Sequence, residues 1–155
     1  MIVLTEPCIP PSDVFGLKYP PLALACLASV LRREGHDFRL LVHESHHTDE
    51  QWLAEVLAAK PEVVGFSVFM GYKLETAYRL SALLRARAPH VKILWGGVHP
   101  SVTVEETLRD PNVDWVCDGP GETTILELAR HLRGDRPLEG IRSLARLVDD
   151  KVEMS

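Results

Sequence analysis

The sequence predicts an α/β protein: a doubly wound, five-stranded and mainly parallel sheet with helices on both faces, followed by a short hairpin-like tail. Two observations carry this prediction. Short apolar runs rich in β-branched and aromatic residues alternate with segments of helical periodicity, the pattern of strands buried on both faces and joined by crossover helices. The run Lys92 to Trp95 then ends in paired glycines, Gly96 and Gly97, at the carboxyl end of a parallel strand, where a ligand can approach bare backbone.

Ile2 to Leu4 is the first apolar run, and Leu22 to Arg33 the first helix, with Gly35 as its C-cap. Phe38 to Val42 follows as the second strand. Trp52, Leu53, Val56 and Leu57 repeat at helical spacing after the acidic start Asp49-Glu50, and Pro61 stops that helix. Val63 to Phe69 is the third strand, and Leu74, Ala77, Ser81 and Leu84 form the face of the next helix, closed by Pro89. After Lys92 to Trp95 come a short helix at Val104 to Arg109 and the strand Trp115 to Cys117. In the last helix, Thr124 to Leu132, Ile125, Leu128, Ala129 and Leu132 lie on one stripe, and Gly134 ends it. Ser143 to Val148, then Asp149-Asp150-Lys151 and Val152, reads as one arm and the turn of a hairpin. This tail fits either a cut through a larger protein or a short frayed terminus. We divide the chain at residue 140, with 1–140 as the sheet domain and 141–155 as a hairpin or the start of a linker.

Composition narrows the function. The chain has 155 residues, is 46% hydrophobic and 25% charged, and carries a formal net charge of -5, which describes one ordinary folded domain. Its acidic balance, with scattered lysines and arginines, argues against nucleic acid or an anionic membrane as partner. The N-terminus lacks the pattern of a signal peptide, so a cytoplasmic location is expected. Cys8, Cys26 and Cys117 are too far apart for a metal or iron–sulfur motif and read as reduced thiols. His43, Glu44, His46 and His47 carry ligand-type side chains, but they fall in a polar connection with no supporting shell, and no metal site is expected there.

The loops at the carboxyl ends of the strands are where this fold places ligands. The first, Glu6 to Pro21, contains neither GxGxxG nor GxxxxGK[ST], which excludes the usual dinucleotide and P-loop fingerprints. The third is SVFMGYK from Ser67, the fourth GGVHP from Gly96, and the fifth DGPGET from Asp118. Together they offer glycine backbone, hydroxyls and one imidazole with few charges, which suits a large, mostly neutral ligand. Read alone, Gly96-Gly97 fits either a tight turn or a ligand passage, Ser67 either a turn cap or a contact, and Thr123 and Thr124 fit helix caps. Phe69, Met70, Tyr19 and Trp95 fit core or rim packing, with Phe69 and Tyr72 also placed to cover a flat ligand. No nucleophile–base pair or carboxylate pair marks a catalytic centre, and no catalytic residue is assigned.

PPLALACLASVLRREGHDFRLL, PEVVGFSVFM, ILWGGVHPSVTVEETLRDPNVDWVCDGPGETTILELARHL and LEGIRSLARLVDDK, taken in order, resemble the cobalamin-binding domain of cobalamin-dependent radical S-adenosylmethionine enzymes, most of all in GG-x-H followed by EE-x-L, D-x-V and G-x-GE-T. The resemblance implies a Rossmann-like domain in which the cofactor's nucleotide tail enters a slot between sheet and helices while the corrin ring lies over the strand ends. It assigns cofactor binding to Ser67, Val68, Phe69, Gly96, Gly97, Val98, His99, Gly119, Gly121, Glu122 and Thr123. A bulky residue at Gly97 is expected to block the tail. The resemblance also implies a radical S-adenosylmethionine catalytic domain as partner, in the same gene or another chain. S-adenosylmethionine and a 4Fe-4S cluster would be bound there, since C-x-x-x-C-x-x-C is absent here. Methyl transfer is the implied reaction. A stand-alone corrinoid carrier or regulatory module, and a degenerate interaction domain, are the alternatives.

Two departures qualify the resemblance. Carriers of the methionine-synthase type place DxHxxG after the first strand, where its histidine ligates cobalt; this loop has no histidine, so cobalamin is expected base-off without a protein imidazole. The fifth loop reads DGPGE where the family usually has GEGE, and Pro120 removes one amide donor.

Overall fold

The structure, a computed structural model, describes residues 1–7, 20–44 and 47–155. Cys8, Tyr19, His46 and most of the first loop lie outside the described residues. Five parallel strands form as expected: β1 (Ile2–Glu6), β2 (Phe38–Val42), β3 (Val63–Ser67), β4 (Lys92–Gly96) and β5 (Trp115–Cys117). The tail is part of the same sheet. Strands β6 (Leu144–Val148) and β7 (Lys151–Met154) pair antiparallel and extend it to seven strands in the order β2-β1-β3-β4-β5-β6-β7. The chain leaves β1 in one direction and returns to β3 on its other side, so the topological switch point lies between β1 and β3.

Helices α1 (Leu22–Arg33) and α6 (Glu122–Leu132) cover one face, burying Leu24, Leu31, Ile125 and Leu128 against Ile2, Leu4, Val63 and Leu94. The other face carries α2 (Asp49–Ala58) and α3 (Tyr72–Arg87), and a row of rings, Trp52, Phe66 and Trp95, runs through its core, with the more exposed Tyr78 packed on Trp95. Both indoles are satisfied there: Trp52 Nε1–H donates to Thr5 Oγ1 at 3.1 Å and Trp95 Nε1–H to Ser81 Oγ at 3.0 Å. Trp95 is thus a core residue. The alternation along β3 assigns the faces, with Val64 and Phe66 toward α2 and α3, and Val63 and Gly65 toward α1 and α6. Among the described residues no helix is long and apolar enough to cross a membrane.

Three differences from expectation bear on the site. Strand β3 stops at Ser67 rather than Phe69: the Val68 N–H makes the last rung to Gly96 O at 2.7 Å, β4 itself ends there as Gly97 turns at φ +104°, and Phe69 leaves the sheet for solvent. The segment after Gly97 coils into an unanticipated helix α4 (Val98–Val102), followed by α5 (Val104–Leu108). Proline at position 100 suits a first turn, where no amide is required. Helix α6 begins at Glu122 behind Gly121 and has no side-chain cap. Thr124 is no cap: its hydroxyl donates to Arg142 O at 2.8 Å, tying α6 to the tail.

The histidine-rich connection has a structural use. His43 is buried at the end of β2, its Nε2 3.3 Å from Asp49 Oδ1, while Arg79 holds Asp49 in a bidentate pair. Burial, with Arg79 and His47 nearby, lowers the His43 pKa against the opposing pull of Asp49, and burial also lowers that of His36. Among the described residues no group of three or more His, Cys, Asp or Glu side chains could hold a metal. A histidine kept neutral by the fold binds its proton sooner in the unfolded chain. Its stabilising contribution is therefore complete above its ordinary value of 6.5 and is lost as pH falls from there through the lowered folded value. Replacing His43 with glutamine should reduce the loss of stability below that pH by about one proton's worth of slope. Urea melts across a pH series measure it; an unchanged slope would contradict the assignment.

Candidate functional site

In register across β1, β3 and β4 lie Leu4, Gly65 and Leu94, a row facing α1 and α6 with no side chain at its centre. The space persists as a slot of about 240 Å³ between the sheet and the two helices, roofed by Leu24, Leu27 and Ile125. A Cβ at Gly65 would project toward this space, 3.1 Å from Leu4 Cδ2. Helix α1 contributes small residues, Ala23 and Cys26, and β5 contributes Cys117. The slot is almost wholly apolar, and burial pushes the Cys117 thiol up in pKa, so it lies there as a neutral S–H.

The mouth opens at the carboxyl ends of the strands, ringed by Ser67, Gly96, Gly97, Gly119, Gly121 and Glu122. Three loops are stitched together around it. Besides the Val68 bond to Gly96 O, the His99 N–H reaches Val68 O at 3.4 Å. Ser101 links the fourth loop to the fifth, its hydroxyl donating to Gly97 O at 2.9 Å and accepting from the Gly119 N–H at 2.9 Å. Gly97 has φ +104°, and a Cβ there would stand 2.7 Å from Val68 O. Only glycine lets the two backbones pass so closely. Gly96 differs, because its Cβ would meet only Cys117 Cβ at 3.5 Å, an ordinary contact.

A glycine-ringed, apolar slot between helices and a parallel sheet suits an elongated group with a largely apolar end. The sequence pattern of the B12 binding domain matches residues 12–129, most of the chain. The chain belongs to the B12-binding domain family. An uncharacterized methyltransferase of Pyrococcus horikoshii is 31% identical over 151 residues, spanning 93% of this chain and 32% of that protein. The anaerobic magnesium-protoporphyrin IX monomethyl ester cyclase of a Synechocystis species is 28% identical over 155 residues, spanning 92% of this chain and 30% of the cyclase. The chain thus spans about a third of the length of these relatives. Among solved structures, the cobalamin-dependent S-adenosylmethionine radical enzyme OxsB, with aqua-cobalamin and S-adenosylmethionine bound, superposes with a TM-score of 0.86 at 23% identity, covering 99% of this chain and 21% of OxsB. The radical S-adenosylmethionine methyltransferase TsrM of Kitasatospora setae, with cobalamin and an iron–sulfur cluster bound, gives 0.77 at 20% identity, covering 97% of this chain and 28% of TsrM. At these identities the superpositions speak to fold.

In this B12-binding domain the residues singled out from sequence divide into three groups. Ser67, Gly96, Gly97, Gly119, Gly121 and Glu122 line the slot or its mouth. Ser67 does not cap α3, which starts behind Gly71 without a side-chain cap. Val68 is buried on the opposite face, in the core with Phe66 and Trp95, and meets the mouth only through its backbone. Phe69, Val98, His99 and Thr123 lie outside the slot lining; Phe69 and Val98 form, with Met70, Tyr72 and Val102, an exposed apolar fringe above the strand ends. Two further residues shape the slot and its mouth, Gly65 in its floor and Ser101 at its rim. Gly65 had a signal, since glycine inside a strand marks close approach of a ligand or backbone. Ser101 had none, because its link to Gly119 spans two loops.

Proposed function

We propose that the slot receives the nucleotide tail of cobalamin and that the fringe of Phe69, Val98 and Val102 lies beneath the corrin ring. The observation that carries this reading is the empty centre of the Leu4-Gly65-Leu94 row, a cradle that any side chain at Gly65 would begin to fill. The lining fits the group: apolar walls suit an aromatic base, and the glycines of the mouth leave backbone room for a bulky linkage. When bound, cobalamin supplies methyl-carrying chemistry at cobalt. This chain's residues hold and orient it, exclude water from the tail, and leave catalysis to other parts of the protein. That catalytic part would be a radical S-adenosylmethionine domain, in the same gene or in another chain, which would bind S-adenosylmethionine and the 4Fe-4S cluster. The relatives, of which this chain spans about a third, support that reading.

With its tail in the slot, the cofactor's benzimidazole cannot also sit on cobalt, and the first loop offers no histidine to replace it. The cofactor is therefore held base-off. Hydroxocobalamin titrated with the chain should move its visible spectrum to the base-off position, and the Co(II) form should show no nitrogen superhyperfine splitting. A spectrum that stays base-on at saturating protein, or a nitrogen splitting abolished by His99→Ala, would contradict the proposal.

A further inference from the structure

His99 sits at the start of α4 beside the mouth, half-buried, and its side chain belongs to a closed hydrogen-bond set. Thr103 Oγ1 lies 2.8 Å from His99 O, 3.3 Å from His99 Nε2 and 3.1 Å from Thr107 Oγ1. A threonine hydroxyl has one proton to donate and two lone pairs to accept with. The carbonyl of His99 accepts only, so the Thr103 proton is committed to it at the shortest of the three distances. Both other contacts must then run toward Thr103. Thr107, fully buried, donates its own proton, and His99 Nε2 must carry a hydrogen. All three valences of the Thr103 oxygen are used, and the arrangement admits one neutral tautomer of the imidazole.

We infer that Thr103 is a positioning residue that fixes His99 as the Nε2–H tautomer, so that the neutral ring offers its ligand an acceptor at Nδ1 and no donor. Among the described residues Nε2 holds the ring's only hydrogen bond to protein, so the Nδ1 lone pair is uncommitted. The matching chemistry is an N–H or O–H donor, such as a primary amide of the corrin periphery. A carboxylate or phosphate oxygen would find no donor in the neutral ring. The choice of corrin amide as partner rests on the function proposed above; the tautomer does not.

Long-range proton–nitrogen correlation spectra of the full chain, assigned with a His99→Gln variant, read the tautomer directly without cofactor. On the high-pH plateau the nitrogen shifts should be those of an Nε2–H imidazole with a bare Nδ1. Shifts of the opposite tautomer would overturn the inference. In Thr103→Val the preference should collapse toward a mixture and corrinoid affinity should fall about fivefold, the worth of one hydrogen bond, with both restored in Thr103→Ser. A valine variant that keeps the pure tautomer and parental affinity would refute the role given to Thr103. If the parent binds no cobalamin at all, the proposed function fails, and the nitrogen shifts still decide the tautomer.

Discussion

Gly65→Val is expected to abolish cobalamin binding while making the protein more stable, two effects of opposite sign from one side chain. The backbone at Gly65 is an ordinary central strand, and the nearest obstacle to a Cβ is the flexible end of Leu4 at 3.1 Å. A β-branched residue there gains strand propensity and fills part of an apolar void, worth about 1 kcal/mol of stability. The same methyl groups occupy the centre of the slot floor. Affinity should fall at least about a hundredfold, since forcing a packed group past them costs on the order of 3 kcal/mol. Paired thermal melts and cofactor titrations measure both. A variant that binds like the parent would remove the slot from the site, and one that loses stability would mean that Gly65 serves packing alone.

The glycine pair at the mouth should split in the opposite manner. Gly97→Val places a Cβ 2.7 Å from the Val68 carbonyl at φ +104°, so the two loops must separate. Stability should drop by about 3 kcal/mol or more, with binding lost as a consequence. Gly96→Ala should melt within about 1 kcal/mol of the parent, because its new methyl meets Cys117 at ordinary distance. The block expected from a bulky residue at Gly97 is thus a consequence of loop distortion, and a binding assay on that variant alone cannot test the slot. Equal melting of the valine variant and the parent would contradict the close-approach account.

Most of the architecture was legible because hydrophobic period is a local signal. The apolar runs gave β2 and β5 at their observed bounds, and the stripes of α3 and α6 reported their buried faces through Ala77, Ser81, Leu84, Ile125 and Leu128. The end of β3 was less legible, since Val68 and Phe69 continue the apolar run while the partner strand β4 ends at Gly96 and offers no further rung. Helix α4 was hidden by its proline and glycine, which mark loops in sequence and here open a short helix. Within the site, glycines adjoining a strand end were visible as a motif. Thr124 was read as a cap because its partner, the Arg142 carbonyl, lies 18 positions away, and such pairings are written in topology rather than in local pattern. The slot itself arises from the alignment of Leu4, Gly65 and Leu94 on three strands, which no single segment displays.

On the function proposed above, the slot holds the cofactor's tail. Equilibrium binding of cobalamin compared with cobinamide, which has the corrin ring but lacks the nucleotide tail, tests it most directly. Cobalamin should bind the parent at least about a hundredfold more tightly than cobinamide, and Gly65→Val should bring the two to the same weak affinity. Equal affinity of the parent for cobalamin and cobinamide would place the binding energy on the corrin ring and remove the slot from the site.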